Sequence, residues 1–133
     1  MHQGDCGWMA GLFDGEGGIG IHRSEGRLTA AANLGMTDEA TVRHFHKLAG
    51  FGSVVVTKTP KGKPFYRWST GGAGAAKLAE MLEPYLITNA HRARIVREFQ
   101  QYKAVRGWAR VVPTEDLENQ RRLYEEYKKT AKH

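Results

Sequence analysis

Apolar residues change their spacing several times along this sequence, and each change marks an element. Ile19 and Ile21 alternate with Gly20, His22 and Ser24, which predicts a strand with one buried face. Ser24-Glu25-Gly26 supplies the turn. From residue 27 to 34 the alternation is cleaner, with Leu28, Ala30, Ala32 and Leu34 on one side and Arg27, Thr29, Ala31 and Asn33 on the other. The two runs predict a hairpin with an apolar face and an open polar face. Thr37-Asp38-Glu39 then offers a cap and an acidic first turn to a helix that carries Val42, Phe45 and Leu48 inward and ends at Gly50.

A second hairpin is predicted over 53–59 and 64–70, around the basic turn Pro60-Lys61-Gly62-Lys63. In its second strand Tyr66 and Trp68 alternate with Phe65, Arg67 and Ser69, whereas the unbroken Val54, Val55 and Val56 leave the buried face of the first strand open. Residues 75–82 predict a third helix with Leu78, Met81 and Leu82 inward, interrupted by Pro84. Thr88 or Asn89 can cap a fourth, which carries Ile95, Phe99 and Tyr102 inward, runs to about Arg106 and stops at Gly107. Residues 108–112 predict a linker, and Thr114 caps a last helix whose narrow stripe of Leu117, Tyr124 and Tyr127 suits docking onto the body. Four antiparallel strands backed by helices on one face make an α+β domain.

Ahead of the first strand, residues 7–20 read GWMAGLFDGEGGIG. Gly7, Gly11 and Gly15 recur every fourth residue, so on a helix they share one face. Each interior glycine costs roughly 0.8–1 kcal/mol relative to alanine, which makes sense if another backbone packs there closely. Asp14 and Glu16 sit at the partly negative C-terminal pole of that helix, where carboxylates need a positive partner. A divalent cation meets the need, since Mg²⁺ takes hard oxygen donors. Taken alone, the string fits a glycine-rich turn with two solvated acids equally well.

At 133 residues the chain is long enough for one domain with a real core and short for two. A net charge of +6 and a pI near 9.6 favour a polyanionic partner, nucleic acid ahead of a membrane surface. No run of about 18 apolar residues and no signal peptide is visible, so a soluble intracellular protein, cytoplasmic or organellar and with no membrane partner, is expected. Cys6, the one cysteine, excludes an internal disulfide and a multi-cysteine zinc site and suits a small packing role on the first helix. His44 and His46, two apart, point to different sides of their helix, and with no third ligand nearby they are not a metal pair. The polar hairpin faces suit base reading, because a two-stranded ribbon fits the major groove. Arg27, Thr29, Asn33 and Arg67 are the candidates for bases, with His22, Ser24 and Ser69 beside them, and Lys58, Lys61 and Lys63 for phosphates. Ordinary solvated strand faces are the alternative.

The string Met9-Ala10-Gly11-Leu12-Phe13-Asp14-Gly15-Glu16-Gly17 resembles the signature of the LAGLIDADG homing endonucleases, and Gly18-Ile19-Gly20-Ile21 continues as that family's first strand does. Leu82-Glu83-Pro84-Tyr85-Leu86 resembles its leucine-proline-aromatic-leucine string, so the likeness covers about the first hundred residues. The resemblance implies an αββαββα fold with a four-stranded antiparallel saddle sheet backed by helices. Residues 1–106 would form the endonuclease domain and 107–133 a linker and C-terminal helix packed on it. With one signature per chain it implies a homodimer joined through Gly7, Trp8, Gly11, Leu12 and Gly15. It implies that Glu16 and Gly15 hold Mg²⁺, or Mn²⁺ or Ca²⁺ in its place, that Glu16 and Asn89 stand at the catalytic positions, and that Asp14 is structural. The activity implied is a site-specific double-strand cut in near-palindromic duplex DNA, of the kind encoded within mobile introns or inteins. Three positions depart from the family: Asn89 stands where many members carry a lysine, Met36 where some carry a glutamine, and Ala40 where a basic residue can sit. Arg92 and Arg94 are the candidates to restore the positive charge. These departures motivate a second expectation, a weak or inactive DNA-binding regulator or RNA-splicing maturase of the same fold. A purely structural interaction module that uses the glycine face is the third.

Overall fold

The computed structural model of the chain describes residues 2–103 and 114–130. Helix α1 (Gln3–Glu16) leads into the hairpin β1 (Gly17–Ser24) and β2 (Arg27–Met36), then α2 (Glu39–Ala49) and the hairpin β3 (Ser53–Lys58) and β4 (Pro64–Gly71). Helix α3 (Ala73–Leu82), a 3-10 turn (Glu83–Tyr85), α4 (Ala90–Lys103) and α5 (Thr114–Thr130) follow. The class is α+β and the order αββαββα with further helices, as expected. The four strands form one antiparallel sheet ordered β1-β2-β4-β3.

Local chemistry explains most boundaries. Glu25 and Gly26 take φ of 51° and 77°, the left-handed pair that a two-residue hairpin turn requires to match the strand twist. Asp38 caps α2 by accepting from the Thr41 N–H at 3.5 Å and the Thr41 hydroxyl at 3.0 Å. Gly50, at φ 81°, closes the same helix by donating to the His46 carbonyl at 2.9 Å.

The register sorts the sheet into two faces. Ile19 and Ile21 stand opposite Ala32 and Ala30, and Leu34 opposite Trp68, on the face that the helices cover. His22 opposite Thr29, and Asn33 opposite Ser69, stand on the other. Beneath the covered face Phe13 of α1 stacks on Phe45 of α2, ring centroids 6.2 Å apart, and Phe45 meets Trp68 edge-on at 4.9 Å. All three are fully buried, and Trp68 donates its indole N–H to the Phe51 carbonyl at 2.9 Å. Burying each such ring is worth roughly 1.5–3 kcal/mol, so this row fixes α1 against the sheet.

Several expectations need correction. Helix α3 begins at Ala73, and its inner face is Ala75, Leu78, Ala79 and Leu82, with Met81 half-buried. In β3, Val54 and Val56 turn to the helix side, where Val54 is half-buried opposite Trp68 and Val56 is 51% exposed, while Val55 turns to the open side and is 52% exposed. Val56 lies uncovered because β3 is the outer strand of the sheet, whereas Val55 faces the side without helices. On α5, Leu117 is largely exposed, and the anchors are Leu123 and Gln120, with Tyr124 and Tyr127 half-buried. Helix α5 docks chiefly on α4 and also reaches β1 and β2, so polar ties to α4 matter as much as a stripe. Gln120 donates to the Tyr102 carbonyl at 3.0 Å, Arg94 pairs with Glu126, and Arg92 donates from Nε to the Thr130 hydroxyl at 3.0 Å and from a terminal nitrogen to the Thr130 carbonyl at 2.8 Å. The expected end of the fourth helix at Arg106 and Gly107, and the linker over 108–112, lie outside the described residues.

Candidate metal and nucleic-acid site

The end of α1 separates its two acids. The Asp14 carboxylate accepts from the Ile87 N–H at 2.7 Å, from the Asn89 N–H at 2.9 Å and from the Asn89 side-chain amide at 3.3 Å. The positive partner that Asp14 needs is thus a pair of backbone N–H groups just ahead of α4. Asn89, 2% exposed, turns its amide back toward α1, where it also lies 3.4 Å from the Phe13 carbonyl. The Asn89 side chain, at the residue before α4, braces the last turn of α1.

Glu16 is different. It is exposed, and its carboxylate makes no ion pair or hydrogen bond with any described residue. A carboxylate at the carbonyl end of a helix, beside the Gly15 carbonyl, is a hard-oxygen donor set of the kind that Mg²⁺ takes. No group of three His, Cys, Asp or Glu side chains gathers among the described residues. One chain therefore offers a partial site, which a second acid and phosphate or water oxygens would complete.

The outer side of α1 is bare. Gly7, Gly11 and Gly15 are exposed with open space where a side chain would stand, and Gly4 extends the row by one turn. The inner side, Cys6, Met9, Ala10 and Phe13, is buried. Trp8 is 39% exposed beside the bare row, its ring 5.0 Å from that of His44, and Leu12 is half-buried against the core. His46 lies apart from His44, with Nε2 3.1 Å from the Gly52 carbonyl, so the two histidines share no site.

Across the open sheet face, His22, Ser24, Arg27, Asn33 and Arg67 are exposed and Thr29 and Ser69 half-buried. Asn33, Ser69 and Ser53 stand in one cross-strand row. Lys61 and Lys63 are exposed at the second hairpin turn. Lys58 shares the side of Val54 and Val56, so it leaves the sheet from the helix side. Sequence reasoning missed the apolar part of this face: Phe65 fills the space that Gly35 leaves, the Arg67 guanidinium lies 5.8 Å from the Phe65 ring centre, and Val55 stands beside them. It also missed Tyr127, which occupies the space in front of Gly20. The signal was present, because a glycine inside a strand marks the close approach of another group.

No family model matches the chain, and no curated protein matches it in sequence. Solved structures do. The homing endonuclease I-CvuI, in complex with a DNA target, superposes with a TM-score of 0.77 at 18% identity over 98% of this chain and 84% of its own. The archaeal intron-encoded homing endonuclease I-Vdi141I, complexed with DNA, gives 0.77 at 15% identity over 96% and 84%. The homing endonuclease I-TnaI gives 0.65 at 18% identity over 94% of each chain. With its nearly complete coverage, its element order and its bare-faced first helix ending in Glu16, the chain has the fold of the single-motif LAGLIDADG homing endonucleases.

Proposed function

We propose that the chain works as a homodimer that makes Mg²⁺-dependent double-strand cuts in a near-palindromic DNA site, as a homing endonuclease of a mobile intron or intein. The observation that carries this is Glu16, an exposed carboxylate with no described protein partner, at the end of a helix whose outer face is bare. Packing two such faces about a two-fold axis sets two copies of Glu16 side by side. Mg²⁺, or Mn²⁺ or Ca²⁺ in its place, would be held by Glu16 and the Gly15 carbonyl of each chain, where it supplies Lewis-acid polarisation of the phosphodiester and an acidified water.

The chain's own residues do the rest. Asp14 ties the last turn of α1 to residues 87–89 and so fixes where Glu16 points. Arg27, Asn33 and Arg67 present donors and acceptors to base edges, with His22, Ser24, Thr29 and Ser69 beside them. Lys61 and Lys63, with Lys58 nearby, meet phosphates and set the register.

One observation favours a second reading. The buried amide of Asn89 carries no charge and is committed to α1, which leaves no cation at that position. A regulator or maturase that binds without cutting fits this. Selection from randomised duplex DNA with Mg²⁺, read for retention and for cleavage, separates the two. Homodimeric cleavage predicts a nearly palindromic site, with Glu16→Gln retaining the duplex and cutting it roughly a hundred- to a thousand-fold more slowly, on the order of the effect of removing a key transition-state contact. Undiminished cutting by Glu16→Gln rejects the metal role. Retention without cutting supports the regulator, and preference for folded intron RNA over duplex DNA supports the maturase.

A further inference from the structure

The open face of the sheet is not bounded by strands alone. Strand β1 lies at the edge of the sheet, and two helix-borne side chains reach round it. The Tyr127 ring of α5 stands where a side chain on Gly20 would be, and Arg92 of α4 lies beside it. Together with Gly18, Ala31, His22 and Asn33 they enclose a hollow of about 170 Å³. By register, Gly18, Gly20, His22, Ala31 and Asn33 all belong to the open face. The floor is made of the smallest residues, and the rim carries a guanidinium, a phenol and an imidazole. No described carboxylate lines it.

Arg92 lines the hollow, and bonds to the Thr130 hydroxyl and carbonyl hold its guanidinium against the end of α5. Arg94, two residues on, is spent elsewhere, paired with Glu98 at 2.8 Å and with Glu126. The adjoining groove between β1 and α5 adds Arg23 and Lys129 to the same edge, with Lys128 paired to Glu125 at 3.3 Å. A positively charged, donor-rimmed recess with a small-residue floor suits an anion of about the size of one phosphate. Gly18, the lining residue nearest the acid in sequence, is the second residue of β1 and follows Glu16, the last of α1, by two.

We infer that this hollow seats a DNA backbone phosphate next to the cleaved position, with Arg92 as its charge, Tyr127 as a hydrogen-bond donor and α5 as the element that positions both. The assignment rests on the DNA-binding reading above. It gives the C-terminal helix a role in substrate binding, and it names Arg92, which lines the hollow, rather than Arg94, which does not.

The test uses the full chain and the duplex recovered by the selection. Arg92→Gln should lower the slope of log Kobs against log[salt] by about 0.9 per chain, roughly 1.8 for a dimer, while Arg92→Lys keeps the slope. Single neutral methylphosphonates walked along the duplex should reveal one position per half-site that weakens the wild type and has no further effect in Arg92→Gln. Because Arg92 also holds Thr130, the scan is repeated in Tyr127→Phe, which keeps the ring in front of Gly20 and removes only the hydroxyl. There the same position should show a reduced effect, with overall binding weakened roughly five-fold. An unchanged salt slope in Arg92→Gln, or additive effects at every phosphate, overturns the assignment and leaves DNA binding intact. Failure of the wild type to retain any duplex removes both.

Discussion

Replacing Asp14 with alanine tests whether this acid is a structural clamp, separate from the acid two residues later. The change deletes the acceptor of three hydrogen bonds, from the Ile87 N–H, the Asn89 N–H and the Asn89 side-chain amide. Ile87 is 86% exposed, so water can take over its N–H and the loss there is about 0.5–1 kcal/mol. Asn89 is 2% exposed, and its N–H groups lose a charged partner where water reaches poorly, at about 1.5–3 kcal/mol. Removing a carboxylate near the negative pole of α1 returns about 0.3–1 kcal/mol. The net loss is about 1–4 kcal/mol, centred near 2, a large share of the roughly 5–15 kcal/mol that holds a domain together. In thermal unfolding this is a fall in midpoint on the order of 10 °C. Urea unfolding followed by far-UV circular dichroism should show a lower midpoint with an unchanged slope. Asp14→Asn, which keeps one acceptor oxygen, should fall between the two. Glu16→Gln is the control: with no bond to lose and one charge removed from the negative pole of α1, it should unfold no more easily than the wild type, with a gain of up to about 0.3–1 kcal/mol. A loss under about 0.5 kcal/mol in Asp14→Ala, smaller than one ordinary hydrogen bond, would refute the clamp.

Gly11→Ala should act in opposite directions on the monomer and the dimer. Its added methyl meets nothing within the chain, so helix propensity stabilises the monomer by about 0.8–1 kcal/mol. Sedimentation should nonetheless show weaker self-association, and a dimer as tight as the wild type would count against backbone contact at this face. Gly20→Ala puts a methyl into the Tyr127 ring, with an overpacking cost of about 1–3 kcal/mol. In a Tyr127→Ala background that cost should vanish, and simple additivity in the double-mutant cycle would show that the two residues do not meet.

Much of this molecule is written in neighbouring residues. The first hairpin follows from strict alternation over 27–34, and Leu28, Ala30, Ala32 and Leu34 are all buried. The glycine row shows where α1 is bare, because spacing along a helix alone decides which residues share a face. Glu16, at the helix end, was legible for the same reason. Contacts between distant parts of the chain were not. The Asp14 clamp joins residues separated by 73 and 75 positions, and no periodicity tells which of two nearby acids will find backbone N–H groups. Three valines in a row carry no sign of which side the helices will cover; the pairing with β4 turns Val55 to the open face, and the outer place of β3 leaves Val56 half-exposed on the other. The α5 anchor moved from Leu117 to Leu123, because the partner surface is α4 and its polar groups. Tyr127 in front of Gly20, with Arg92 beside it, exists only because two helices come together at one sheet edge. Periodicity is a property of a segment and can be read from it, whereas a partner is a property of the packed whole.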